Sequence, residues 1–342
     1  NKAGHEAGQQ YSRNIMSNRR DFVRNSLLAS AGIAGMGQVT SLYGATGRKV
    51  NPSDRIRVAL IGGRNMGWSN LETFLKFPQV TCVSLCDIDD EWLNKRAADT
   101  EKISGRRPSQ IVKDWRRVMD NPDVDAVIIA TPDHWHCLQA IAAMEAGKDV
   151  YCEKPLANSI AECDAMVRAA RKHYRVVQTG QWQRSDPHWQ DAVAFIHSGK
   201  LGRIRTVKVW AYMIWKKTLP VQPDGAVPPG VDYEMWLGPA RHRPFNPNRF
   251  HYNFRYFWDY AGGLMSDWGV HLLDYALLGM KADLPRAVYT AGGKFAYPGD
   301  AMETPDTLLA SYVYDDFTVT WDHACGIKDG PYGREHGLAF MG

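Results

Sequence analysis

The run Gly62-Gly63-Arg64-Asn65-Met66-Gly67 closes an apolar segment and opens an amphipathic one. A tight strand-to-helix turn of this kind aims backbone N–H groups at a pyrophosphate held at a helix N-terminus. The spacing Gly-x-Gly-x-x-Gly asks for glycines at 62, 64 and 67, and position 64 is arginine. Asn65 can supply the positive φ instead, since asparagine tolerates it better than most residues. Asp87 stands 20 residues after Gly67, at the end of the next apolar run. A carboxylate there accepts hydrogen bonds from an adenosine ribose and repels a 2′-phosphate, so it favours NAD over NADP. The plainer reading of Asp87 is a turn residue, with Asp89 and Asp90 beside it.

Other residues can carry acid–base or electrostatic chemistry. Asp267 and His271 are four apart and share one face of a helix. Lys154 follows a short apolar strand and precedes Pro155, at the strand end where α/β sheets bind ligands. Taken singly, His271 also reads as a satisfied helix histidine and Lys154 as a solvated surface lysine. His134, His136, His188 and His251 match no standard metal spacing, so no metal is expected. Aromatics are dense at Trp182, Trp189, Tyr212, Trp215, Phe254, Tyr256 and Trp258. Core packing is the default for them, and a platform for apolar sugar faces is the alternative. Gln181, Arg184 and His188 can add polar contacts.

Elements able to position these groups alternate after Asn51-Pro52-Ser53. Strands are expected at Arg55–Ile61, Val80–Cys86, Ala126–Ala130, Asp149–Cys152 and Val176–Thr179. Helices are expected at Met66–Lys76, Asp89–Ile103, Trp115–Asp120 and Ser159–His173. Between the third and fourth strands comes another helix, with Thr131 as cap, Pro132 in its first turn and Gly147 at its end. Such alternation implies an α/β, doubly wound parallel sheet. Beyond residue 200 the pattern changes. Thr206–Met213 and Phe317–Asp322 alternate as half-buried antiparallel strands, with a Pro-rich loop over 219–247 and a helix near Ser266–Leu278 between them. The second half therefore reads as α+β with an open, mainly antiparallel sheet.

Three segments together resemble the Gfo/Idh/MocA family of oxidoreductases. They are Ala130-Thr131-Pro132-Asp133-His134-Trp135-His136, Tyr151-Cys152-Glu153-Lys154-Pro155 and Asp267-Trp268-Gly269-Val270-His271. The likeness runs from about residue 55 to the end. Gly180-Gln181-Trp182-Gln183-Arg184 and Trp258-Asp259-Tyr260-Ala261-Gly262-Gly263 resemble a secreted branch. The resemblance implies a Rossmann domain, then an open sheet, with substrate at the carboxyl ends of the parallel strands. It maps the family's lysine onto Lys154 and its acid and histidine onto Asp267 and His271, and implies a cis bond at Lys154–Pro155. Gly62, Asn65, Met66, Gly67, Asp87, Thr131, Pro132, His136, Glu153, Lys154 and Gln181 then hold the NAD. Lys154, Trp182, Arg184, His188, Asp267 and His271 meet the substrate.

These residue types suit oxidation of a sugar alcohol. Histidine titrates near neutrality and can take the hydroxyl proton. Asp267 can orient its ring or bind a substrate hydroxyl. The Lys154 cation stabilises alkoxide character beside it.

Composition removes other classes. Residues 1–50 hold seven Lys/Arg against two acids, so they carry more than the whole net +4, and the body is near neutral. A near-neutral body has no electrostatic footprint for nucleic acid. No apolar span long enough for a membrane helix interrupts the body. The six cysteines form no framework, and Cys82 and Cys86 on one strand lie roughly 13 Å apart, too far for a disulfide.

Arg19-Arg20, Phe22 and Arg24 before the small-residue run Leu27–Gly37 resemble a twin-arginine export signal. The expected organisation is a leader and linker over 1–50, an NAD-binding domain over 51–180, and a substrate and oligomerisation domain over 181–342. Location is periplasmic or otherwise exported, and cytoplasmic if the leader does not function. The chain stops at Gly342 within a strand-like run from Gly337, where relatives continue. The expectation is a chain lacking its last strands, with an exposed edge. At full length the resemblance implies a homo-oligomer formed through the open sheet.

The leading functional expectation is NAD-dependent oxidation of a sugar or glycoside hydroxyl, with cofactor held tightly. The alternative is redox-neutral glycoside cleavage by oxidation, elimination and reduction. A non-catalytic sugar or cofactor binder is the third.

Overall fold

The structure is a computed structural model in which residues 54–342 are described. The leader expected within 1–50 lies outside the described residues. The described residues form two compact units, one holding residues 54–131 with Leu138–Glu153 and Asp164–Pro187. The other holds Pro132–Cys137, Lys154–Cys163 and His188–Gly342.

In the first unit, six strands make one sheet: β1 (Ile56–Ile61), β2 (Val80–Cys86), β3 (Gln110–Val112), β4 (Ala126–Ile129), β5 (Asp149–Cys152) and β6 (Val177–Thr179). The order is β3-β2-β1-β4-β5-β6, and every neighbouring pair is parallel. Helices α1 (Asn65–Phe74), α2 (Asp90–Ser104), α3 (Arg116–Met119), α4 (Asp133–Glu145) and α5 (Ile160–His173) alternate with the strands. The continuous apolar runs behave as expected of strands covered on both faces. Val58, Leu60 and Ile128 are buried in one cluster with Leu71 from α1 and Leu93 and Ala97 from α2. Strand order reverses between β1 and β4, the place where such sheets bind ligands.

In the second unit, β7 (Thr206–Met213), β8 (Ala287–Gly293), β9 (Thr307–Val313), β10 (Thr318–Cys325) and β11 (His336–Met341) form a sheet of order β11-β7-β10-β9-β8. Helices α6 (Pro187–His197), α7 (Tyr233–Leu237) and α8 (Val270–Met280) accompany it. Three pairings are antiparallel, but β7 runs parallel to β10, so 206–213 is antiparallel only toward β11. More than a hundred residues separate β7 from β10, and a long connection permits the parallel pairing that a hairpin forbids.

The second unit borrows Pro132–Cys137 and Lys154–Cys163 from the chain before residue 180. The contacts of His134 show why. Its ring and the Trp135 indole N–H both meet the Trp236 carbonyl oxygen, each at 3.1 Å.

The turn after β1 leaves no room for side chains at two places. Gly62 has φ +89°, and a Cβ there would stand 2.6 Å from the Ala130 carbonyl oxygen. A Cβ at Gly67 would run into the Gly62 carbonyl oxygen. Gly67→Ala should therefore destabilise the first unit by about 1–3 kcal/mol, as overpacking does. The check is a denaturant melt, with a lower midpoint at unchanged slope. An unchanged midpoint would show that the turn has slack.

Candidate active site

The turn at Gly62–Gly67 is held from below. Asp87 Oδ2 accepts the Gly63 N–H at 2.7 Å, and Arg96 Nε donates to the Gly63 carbonyl at 2.7 Å. Asp87 Oδ1 accepts the Asp89 N–H at 3.1 Å. Burial raises the Asp87 pKa, against the pull of its two backbone donors. Asp89 caps α2 by accepting from Glu91 N, so the acids beside Asp87 have their own work.

Arg64 takes an ordinary extended φ of −88°, and the positive φ falls on Asn65 at 28°, as the sequence implies. The Arg64 guanidinium lies 4.6 Å over the Trp92 ring. Arg96 stacks over Trp92 and Trp68 in turn. No side chain caps α1. Its first-turn N–H groups therefore keep their capacity for phosphate oxygens. With Asp87 beneath and a glycine-only approach at Gly62, the turn fits a dinucleotide.

The other expected cofactor residues are placed as follows. Thr131 Oγ1 donates to Gln139 Oε1 at 2.8 Å, and Glu153 Oε1 accepts from Asn70 Nδ2 of α1 at 2.8 Å. Met66 is exposed. Gln181 Oε1 is buried with no hydrogen-bond partner among the described residues, which suits a ligand donor. His136 is buried, and its Nδ1 meets the Pro155 carbonyl at 2.8 Å. That contact holds the turn bearing Lys154, just before the cis bond to Pro155 that the resemblance implies.

Lys154 Nζ donates to Asp267 Oδ1 at 2.7 Å and to the Asp267 carbonyl at 2.8 Å. Both side chains are only 14% exposed. Asp267 lies in a single π turn, Met265–Gly269, that runs into α8. The uninterrupted α-helix expected from Ser266 is therefore a π turn followed by α8, which carries His271. Such turns concentrate at functional sites. Burial pushes His271 down to about 4, with Lys154 adding to the shift and Asp267 opposing it. The imidazole is therefore neutral at pH 7 and able to accept a proton, but as a weaker base than the near-neutral histidine that the sequence leads one to expect.

Two members of the cluster escaped the sequence reading. Arg255 Nε stands 3.3 Å from Asp267 Oδ2, so the carboxylate has a cation on each oxygen. Burial would raise the Asp267 pKa, but Arg255 and Lys154 outweigh it and hold the group below its usual value. Asp133 opens α4 and is only 6% exposed. Burial lifts it to about 8; Arg255 and Lys154 oppose the rise, and Asp267 adds to it. Asp133 lies inside the segment that carries the resemblance, and Arg255 is the one charge in Tyr252–Tyr256. Those were the only signals.

Of the expected substrate contacts, Trp182 is half-buried, whereas Arg184 and His188 are exposed. Trp189 stacks on Tyr275 with centroids 3.9 Å apart, and Tyr256 is buried, so both serve packing. Trp215 and Trp258 keep exposed rings. Among the described residues no group of His, Cys, Asp and Glu is placed to hold a metal ion, and no helix is long and apolar enough to cross a membrane.

Fold and turn define a dinucleotide-binding Rossmann domain followed by a second domain with a mainly antiparallel sheet. Family profiles agree. Residues 56–181 match the oxidoreductase family's NAD-binding Rossmann fold, and residues 170–316 match its C-terminal alpha/beta domain. The chain belongs to the Gfo/Idh/MocA family. It is 25% identical to the uncharacterized oxidoreductase YrbE of Bacillus subtilis, over 77% of this chain and 64% of YrbE. It is 35% identical to a levoglucosan dehydrogenase of Pseudarthrobacter phenanthrenivorans, over 44% of this chain and 39% of that protein. The chain thus spans less than two thirds of the length of these relatives. The myo-inositol 2-dehydrogenase structure from Lactobacillus plantarum superposes with a TM-score of 0.63 at 21% identity, covering 84% of this chain and 74% of that one. That likeness concerns the fold.

The Asp133 environment has a measurable consequence. Between pH 4 and about 8 the folded carboxyl keeps a proton that the unfolded chain has released, so this group's contribution to stability is lost as pH rises. Asp133→Asn removes that slope. Thermal melts should show the variant gaining on the parent protein from pH 5 to pH 8. Parallel curves would mean that Asp133 ionises normally.

Proposed function

We propose that this protein oxidises a hydroxyl of a sugar or glycoside with NAD. One observation carries the reading: a neutral imidazole, an ammonium and an ionised carboxylate lie in one buried cluster, at His271, Lys154 and Asp267. His271 takes the hydroxyl proton. Lys154 meets the oxygen as it becomes an alkoxide, and Asp267 holds Lys154 at that place. NAD, when bound at Gly62–Gly67 and Asp87, supplies the hydride acceptor. The levoglucosan dehydrogenase relative supports a carbohydrate substrate. An exported location, read from the basic leader, would favour a cofactor that stays bound through turnover.

The test is to incubate purified protein with a panel of sugars and glycosides, following products and bound-cofactor absorbance together. Ketosugar with accumulating NADH is the expected result. Free sugar without net NADH would mean redox-neutral cleavage instead, and no product with NAD still bound would mean a binder. Lys154→Ala and His271→Ala should each lose about 10²–10⁴-fold in turnover while retaining NAD. Normal turnover in either would end the mechanism. Asp87→Ala should weaken NAD binding, read by calorimetry.

A further inference from the structure

Asp267 faces more charge than the lysine pair needs. Lys154 holds Oδ1, and Arg255 approaches Oδ2 at 3.3 Å. Arg255 is itself fixed from several sides. Its Nη1 donates to the Tyr252 carbonyl, and its guanidinium lies 4.4 Å from the Tyr252 ring centroid and 5.0 Å from that of Phe254. The short 3-10 segment that carries it, His251–Tyr256, begins with His251 at φ +53°, a conformation few residues adopt freely. The guanidinium thus has anchors besides the carboxylate.

This matters because Lys154 has two demands on it. In the resting site its ammonium binds Asp267. During oxidation it must also meet the substrate oxygen. Leaving a buried carboxylate without a cation is costly. We propose that Arg255 is a positioning residue that keeps Asp267 paired, so that Lys154 can shift its hydrogen bond from Asp267 to the substrate oxygen. This inference rests on the reading of Lys154 given above. Arg255 itself touches neither substrate nor cofactor in this scheme.

The groups facing Asp267 are Lys154 from the turn after β5, Arg255, His271 from α8, Asp133 from the start of α4, and Tyr256. None but Arg255 and Lys154 brings a permanent positive charge.

The test uses the NAD-loaded protein and two variants, Arg255→Gln and Arg255→Lys. The Asp267 carboxyl is titrated by ¹³C NMR of aspartate-labelled protein, its signal assigned with Asp267→Asn. In Arg255→Gln the Asp267 midpoint should rise, and in Arg255→Lys it should stay near that of the parent protein. On any sugar that the parent oxidises, Arg255→Gln should lower kcat by about 10- to 100-fold with little change in KM, the mark of a misplaced catalytic group. A merely structural arginine predicts lower melting temperatures in both variants and an unmoved Asp267 midpoint, and that result overturns the proposal. If the parent oxidises no sugar at all, the dehydrogenase reading fails, while the titration alone decides whether Arg255 controls Asp267.

Discussion

The ion pair between Lys154 and Asp267 is the constraint around which the second unit's site is organised. Both partners are mostly withdrawn from water, and each would be costly alone: removing one member of a buried pair typically costs about 3–5 kcal/mol. Around this pair the fold assembles a third charge at Arg255, a neutral histidine and a protonated carboxyl. The shifts are mutual. Burial alone would neutralise both acids, but the two cations keep Asp267 ionised and leave Asp133 with its proton. One environment thus holds two carboxyls in different states, which is the arrangement that separates acid and base roles elsewhere in enzymes.

The same logic, in backbone form, governs the turn after β1. Gly63 is clamped between an acceptor and a donor, Asp87 and Arg96, and the helix beyond it is left uncapped. Rigid support with unsatisfied N–H groups at the tip is what an anionic ligand requires. Arginine at position 64 does not disturb the turn because the unusual φ is displaced to Asn65. The bulk of Arg64 is absorbed by stacking on Trp92.

Local chemistry was legible in the sequence wherever one short segment decides the outcome. The β1–α1 turn, the carboxylate of Asp87 at the end of β2 and the strand preceding Lys154 all belong to that group. Asp267 and His271 were legible as neighbours, but the π turn between them was not, since it depends on how the helix packs. Arg255 and Asp133 were missed for a related reason. They come together from distant parts of the chain, and nothing in their immediate sequence marks them as partners of Lys154. The parallel pairing of β7 with β10 is likewise a product of connection length and not of strand pattern.

The cysteines carry a different consequence. All six are free, and five are buried. Burial pushes the Cys82 and Cys325 thiols up to about 12 and Cys137 to about 11, so the reactive thiolate is scarce at each. No disulfide stiffens either unit. The fold contains no disulfide, and five of its six thiols are withdrawn from solvent.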